Sequence, residues 1–387
     1  MRILFFSRDY TTHDHRFLSA LAKTEHQVSY LRLERRGHQL EERALPPEIE
    51  IVQWCGGKAP ARWQDGVRLL RELKKVLKRV KPELVLAGPI QRSAFLAALA
   101  GFRPLVSMSW GYDLLQDARR NAAWGWATRF TLKRSAAMLG DCNTIRQLAV
   151  SYGMPDERIV TFPWGIELEH FRPADKAHGP QAVSAGSEMP FTLLSTRSWE
   201  PVYGVETIAR AFVKAAAEHP ELRLAMLGNG SQAGLLRRIL ATGGLNAASD
   251  YPRLLYPGQI SYAELPRFYR SADLYISASH SDGTSISLLE AMACGCPVLV
   301  SDIPGNREWV TPGENGWLFP PGDPQALAQA ILQAVEQRDR LPEMGRSARR
   351  LAEARADWKQ NFPWLFEAYR IARTVGMKRR KHKIVLV

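Results

Sequence analysis

Short apolar runs alternate along the chain with longer stretches in which apolar positions recur every three to four residues. In the first half, Ile3–Phe6, Val28–Leu33, Ile49–Trp54, Leu84–Ala87 and Leu105–Met108 have the length and composition of strands. Arg16–Lys23, Asp65–Val80, Gln91–Ala100, Ala123–Arg134 and Thr144–Tyr152 have helical periodicity, and Ile159–Pro163 closes this half. Residues 172–190 are rich in Pro, Gly, Ala and Ser without apolar period and read as a linker. The alternation then resumes with strands Phe191–Ser195, Leu222–Leu227, Leu254–Tyr256, Leu274–Ser277 and Pro297–Ser301. Helices Gly204–Glu218, Gln232–Ala241 and Tyr262–Arg270 and a loop-helix at 282–294 lie between them. Strand and helix in alternation predict parallel βαβ units, hence an α/β fold of two doubly wound, Rossmann-like domains. The expected boundaries are 1–172, a linker at 173–190, 191–356, a closing helix within 357–376 and a basic tail at 377–387.

The stretch from Ser279 to Gly316 is the most informative. It combines a polar glycine loop, a helix with a carboxylate near its start, a buried strand and a second turn-rich loop. A helix N-terminus presents unpaired N–H groups and the positive end of a dipole, which suits a phosphate. Glu290, one turn into the run Ile286–Met292, has the reach for a ribose diol beside that phosphate, and Asp282 points to the same place from the loop. The combination suits a nucleotide diphosphate-sugar.

Here the chain resembles the retaining glycosyltransferases of family 4, which have the GT-B fold, with two domains facing a cleft. Their pattern is an acid, a Gly-containing loop and then Glu-Ala-Met-Ala-x-Gly-x-Pro-Val. Gly283, Glu290, Ala291, Met292, Ala293, Gly295, Pro297 and Val298 match it, and Asp282 stands where the family usually has Glu. The resemblance implies donor binding by Gly283, Thr284, Ser285, Ile286 and Glu290, by the Gly228-Asn-Gly230 turn, and by a base-contacting turn around Ile260. It also implies that Arg197, in Ser195-Thr-Arg-Ser-Trp-Glu-Pro-Val-Tyr-Gly204, neutralises the leaving β-phosphate, making Arg197 and Asp282 the catalytic candidates. The lysine usual before that glycine is Tyr203, whose hydroxyl offers one hydrogen bond in place of a charge, and Arg307 is a candidate to compensate.

In the first domain, family members often carry His-Gly-x-Asp where this chain has Trp110-Gly-Tyr-Asp113. An acid/base role for that histidine is thereby lost, and Trp110 offers a stacking platform for a sugar. For Asp113, binding an acceptor hydroxyl and capping the next helix are both open. The loop Asp9–Arg16 lacks the family's Gly-Gly turn; His15 and Arg16 are candidates for acceptor or phosphate contact, and Asp14 for helix capping. Trp164 and Glu167 replace family residues at the hinge. The closing helix is expected to cross back onto the first domain.

Net charge is +13 and uneven: residues 1–175 carry 27 Lys and Arg against 19 Asp and Glu, residues 176–367 carry 18 against 20, and the last twenty carry 7 against none. A phosphate-bearing acceptor and an anionic membrane surface are the expected partners of such faces, with simple solubility the plain alternative. No aromatic-interleaved basic stripe suggests nucleic acid. In the amphipathic stretch 68–81, Leu69, Leu70, Leu73, Val76, Leu77 and Val80 form an apolar stripe, with Lys74, Lys75, Lys78 and Lys81 opposite. Four cysteines without zinc-type spacing, no clustered ligands and no membrane-length apolar run predict a metal-free, cofactor-free protein of the cytoplasm, or of the inner membrane face. The expected activity is metal-independent, retaining transfer of a hexose from a nucleotide diphosphate-sugar, UDP-linked rather than GDP-linked, to a glycan, glycolipid or small-molecule hydroxyl. A nucleotide-sugar epimerase of the same fold and a non-catalytic partner subunit are the alternatives.

Overall fold

The computed structural model describes residues 1–35, 41–174, 190–245 and 253–384, with Trp63 and 377–384 described by their backbone alone. Most of the expected linker lies outside the described residues. The chain divides into two compact units, Met1–Phe162 with Phe362–Val387, and Pro163–Asn361.

The first unit holds β1 (Arg2–Ser7), β2 (Gln27–Arg32), β3 (Glu50–Ile51), β4 (Leu84–Gly88), β5 (Leu105–Met108), β6 (Ala137–Gly140) and β7 (Ile159–Thr161). All are parallel, in the order β3-β2-β1-β4-β5-β6-β7. Its helices are α1 (Thr12–Leu21), α2 (Gly66–Val80), α3 (Phe95–Leu99), α4 (Tyr112–Leu115), α5 (Ala122–Arg134) and α6 (Asn143–Ser151). The second unit holds β8 (Phe191–Ser195), β9 (Leu222–Leu227), β10 (Leu254–Gly258), β11 (Leu274–Ser277), β12 (Val298–Ser301) and β13 (Gly316–Phe319), again all parallel, ordered β10-β9-β8-β11-β12-β13. Its helices are α7 (Val205–Glu218), α8 (Ala233–Thr242), α9 (Leu265–Ser271), α10 (Ile286–Ala293), α11 (Pro304–Arg307), α12 (Pro324–Glu336), α13 (Leu341–Arg355) and α14 (Trp358–Asn361). The last helix, α15 (Trp364–Ile384), packs on β5, β6 and β7 of the first unit.

Strands buried on both faces explain the continuous apolar runs. In the second sheet Leu193 and Ile276 pack with Phe212, Leu240 and Ile331, while their neighbours Leu194 and Tyr275 pack on the other face with Leu289, Met292 and Ala348. In open sheets of this kind ligands bind beyond the carboxyl ends of the strands, where the strand order reverses. Those places are β1/β4 in the first sheet and β8/β11 in the second.

Several expectations are corrected. Thr11, not Asp14, caps α1, and Asp14 answers at the third position in a reciprocal capping box. Only Glu50–Ile51 of the strand expected over 49–54 pairs. The helix expected over Gln91–Ala100 begins as a π-turn, Ile90–Ala94, before α3. Strands β6 and β13 and helices α12 and α13 complete the sheets where no element was expected. The expected basic tail continues α15 as far as Ile384 rather than leaving it.

Candidate functional site

In the second unit the loops after β8 and β11 meet at the switch point. Gly204 makes this possible: its φ is +60°, and a Cβ there would lie 2.0 Å from the carbonyl oxygen of Ala278, just beyond β11. The two catalytic candidates are brought together. Arg197 Nη2 donates to Asp282 Oδ2 at 2.6 Å, and Nη1 donates to Ser285 Oγ at 2.8 Å and Ser287 Oγ at 3.0 Å. Its guanidinium lies 4.1 Å from the centre of the Tyr203 ring. Burial alone would lower the Arg197 pKa; the Asp282 carboxylate, with Tyr203 and Tyr275, outweighs it and holds the pKa raised. The Tyr203 ring thus supports Arg197 by a cation–π contact that its place in the sequence did not suggest.

Ser285 precedes α10 and makes no side-chain cap, so Ser285 and Ile286 open the helix with backbone N–H groups and Gly283 and Thr284 lead into it. Glu290, five residues in, is 7% exposed and accepts a hydrogen bond from the Tyr269 hydroxyl at 2.8 Å. Burial, with the Glu290 charge beside it, raises the Tyr269 pKa well above its ordinary value, so the phenol stays a donor. Tyr269 also meets Thr196 Oγ1 at 2.9 Å, which links Glu290 to the residue before Arg197. Tyr269 is a site residue that sequence reading missed, because it lies twenty-one positions from its partner within an ordinary amphipathic helix.

The glycine turns close the same end of the sheet. Gly228 has φ +89° and donates its N–H to the carbonyl of Gly258 at 2.7 Å, joining the turns after β9 and β10. A Cβ on Gly230 would lie 2.5 Å from the Trp199 carbonyl oxygen, so this turn is laced to the Arg197 loop. Ile260 follows, partly buried against the core. Arg307, the candidate compensating cation, is largely exposed and paired with Asp302 at 2.5 and 2.9 Å.

In the first unit, Trp110 follows β5 beyond the switch point and lies 5.3 Å, ring to ring, from His13. Burial, with Arg16 adding, lowers the His13 pKa to about 3, so this ring is neutral at pH 7. Asp113 is corrected as an acceptor contact. It is fully buried, and its oxygens accept from Ser109 Oγ at 2.6 Å and the backbone N–H groups of Ile90 at 2.9 Å and Leu114 at 3.0 Å. Burial raises its pKa to about 6 against those bonds. Asp113 thus fastens the β4 and β5 loops together. His15 is likewise engaged by Tyr10 at 2.7 Å and Ser19 at 3.3 Å, and Arg16 is buried. The structure adds two cations that the sequence did not single out. Arg8, after β1, pairs with Glu34, and Arg92, after β4, has its pKa lowered by burial and by Arg8 and keeps an enclosed Nε without a partner. Among the described residues, no group of three or more His, Cys, Asp or Glu is placed to hold a metal ion.

Residues 11–170 match the family model described as Glycosyltransferase Family 4, and residues 181–351 match that described as Glycosyl transferases group 1. A D-inositol 3-phosphate glycosyltransferase of Thermobispora bispora is 32% identical over 244 residues, 59% of this chain and 55% of that protein. The UDP-N-acetylglucosamine–peptide N-acetylglucosaminyltransferase GtfA subunit of Streptococcus pneumoniae serotype 4 is 31% identical over 178 residues, 44% of this chain and 34% of that one. The chain thus matches between a third and just over a half of the length of these curated relatives. Among solved structures, Anabaena Alr3699/HepE in complex with UDP superposes with TM-score 0.72 at 17% identity, over 95% of this chain and 99% of that one. Sucrose-phosphate synthase of Thermosynechococcus elongatus gives 0.75 at 18%, over 96% and 98%. At these identities the likeness is one of fold.

Proposed function

The chain belongs to the GT-B glycosyltransferases of the family 4 type, and from that premise we propose that it transfers a hexose, with retention, from a UDP-sugar to a hydroxyl of a glycan, glycolipid or phosphate-bearing small molecule. The observation that carries this is the meeting of Arg197 with Asp282 and the α10 N-terminus at the switch point of the second sheet. The UDP of the Anabaena neighbour supports a uridine donor. In this reading the diphosphate lies against Arg197 and the backbone N–H groups at 283–286, Glu290 takes the ribose, and Gly228, Gly230 and Ile260 border the base. Arg197 and the amides meet the charge of the leaving β-phosphate without a metal ion. With no dedicated nucleophile, the acceptor hydroxyl attacks the face the phosphate is leaving and gives its proton to a phosphate oxygen. Asp282 and Tyr203 are positioning residues, holding the guanidinium.

Incubation with a panel of UDP- and GDP-sugars, reading nucleoside diphosphate release and the anomeric configuration of product by NMR, tests the whole reading. Release from a UDP-sugar with an α-linked product from an α-linked donor is expected. Interconversion of the nucleotide-sugar without release would instead indicate an epimerase, and inactivity towards every donor a non-catalytic subunit.

We also place the protein in the cytoplasm at an anionic membrane face. Among the described residues no helix is long and apolar enough to cross a bilayer. Lys74, Lys75, Lys78 and Lys81 are exposed along and just after α2. Each Lys or Arg near an anionic surface contributes about 1 kcal/mol, screened within roughly 10 Å by salt. Sedimentation with anionic vesicles should therefore fall steeply with added salt and on removal of Met377–Val387. Protein left in the supernatant in every sample would refute the membrane placement.

A further inference from the structure

Helices α2, α3 and α5 cover one face of the first sheet, where Leu73, Leu96 and Phe130 pack on the same apolar cluster as Phe6 and Val85. All of them belong to the first unit. The outer side of α3 and α5 carries aromatic surface that the fold leaves uncovered: Trp126 is 55% exposed and Leu99 36%. Trp126 and Phe130, one turn apart on α5, have ring centres 5.2 Å apart. Phe95 of α3 meets both rings at steep angles, at 5.8 and 5.7 Å. Scattered exposed apolar residues are ordinary, but an indole, two phenyl rings and a leucine gathered on two adjacent helices form a patch, and such patches mark interaction surfaces.

Charge selects the partner. No Asp or Glu occurs between Glu83 and Asp113 or between Asp117 and Asp141, and these two segments hold seven Lys and Arg. Arg129 and Lys133 are exposed on α5, and the Arg134 guanidinium lies 4.3 Å from the centre of the Phe130 ring. Beside α3, α2 carries six Lys and Arg against Glu72 alone. The layer therefore combines apolar rings with cations and almost no carboxylate. An anionic lipid surface complements both: aromatic rings sit at the level of the headgroups, cations pair with their charge, and Lys and Arg stems lie along apolar surface with their heads in water. A nucleic acid strand needs ring faces standing apart to receive its bases. Here the three rings pack on one another into a single apolar surface, which suits lipid better.

We propose that the α3–α5 aromatic cluster, led by Trp126 and Leu99, inserts among the headgroups of an anionic bilayer, so that the first unit is held by apolar contact as well as by charge. This rests on the membrane placement above and adds an insertion point distinct from α2 and the tail. The full chain is sedimented with vesicles of phosphatidylcholine, alone and with phosphatidylglycerol, at low salt and at about 1 M salt, where screening shortens to about 3 Å. Binding to the anionic vesicles should fall steeply with salt without vanishing. Trp126→Ser should lose about tenfold of the low-salt binding and all of the salt-resistant part, because the apolar contribution scales with the area inserted. Arg129→Gln/Lys133→Gln should weaken low-salt binding several-fold and spare the salt-resistant part. UDP affinity and thermal unfolding should be unchanged in both, since these side chains lie on the surface. Brominated lipid should quench more of the tryptophan emission in wild type than in Trp126→Phe, which keeps an apolar ring. Binding indifferent to Trp126→Ser, or equal quenching in Trp126→Phe, would overturn the insertion and leave attachment through α2 and the tail standing. Protein that never sediments would overturn both. A dimer in the absence of lipid that Trp126→Ser dissolves would make this face a contact between copies and overturn the proposal. So would binding of single-stranded RNA, lost in the variant, without binding of vesicles.

Discussion

Arg197→Ala is expected to lower turnover by roughly 100-fold or more, the range found when one pre-organised donor to a developing charge is removed. The guanidinium is buried, positioned by Asp282, Ser285 and Ser287, and supported by the Tyr203 ring, so little reorganisation is needed when the β-phosphate leaves. Arg197→Lys should recover only part of the loss, because an ammonium does not reproduce the planar fork that now meets a carboxylate and two hydroxyls. The measurement is nucleoside diphosphate release at saturating donor, with circular dichroism to establish that the variant is folded. Near-normal turnover in a folded Arg197→Ala would show that another group carries the leaving-group charge. Asp282→Glu should be tolerated better than Asp282→Ala if the carboxylate's charge is what orients Arg197; equal losses would mean that its placement decides.

Glu290→Ala should weaken UDP binding by roughly 2–4 kcal/mol, the worth of a pair of charge-assisted bonds to the ribose hydroxyls. At about 1.4 kcal/mol per decade, that is between some 30-fold and several hundred-fold in Kd. The carboxylate is enclosed and already accepts the Tyr269 hydroxyl, so its orientation is set before the ligand arrives. Tyr269→Phe should reproduce a smaller part of the loss, since it frees the carboxylate to turn without removing it. Calorimetry giving the same UDP affinity for wild type and Glu290→Ala would sink the ribose assignment.

Strands β8 to β12 of the second unit were legible to within a residue or two because their apolar runs are bounded by glycine, proline or polar turns, as at Phe191–Ser195 and Leu274–Ser277. Strand β6 was not: Ala137-Met-Leu-Gly140 is short and half made of Ala and Gly, and its neighbours supply its burial. Helices α12 and α13 follow β13, whose Gly316-Trp-Leu-Phe319 reads as loop after the Thr-Pro-Gly turn. In the first unit the polar loop residues were visible as candidates, but their targets were not. Asp113 ties the β4 and β5 loops together and His15 bonds to Tyr10 in its own loop, while Arg8 and Arg92, unremarkable in sequence, converge because β1 and β4 are adjacent.

What the sequence by itself determined is local and periodic. Alternating apolar runs specify parallel βαβ units, and a polar glycine loop before a helix specifies an anion-binding terminus, because both follow from residues close in the chain. The tertiary structure alone decided which side chains share a site. Arg197 and Asp282 stand eighty-five positions apart and meet because the sheet reverses its strand order between β8 and β11. The same packing gave Glu290 its tyrosine, since a contact between separate elements depends on strand order and register, which no local pattern of hydrophobicity encodes.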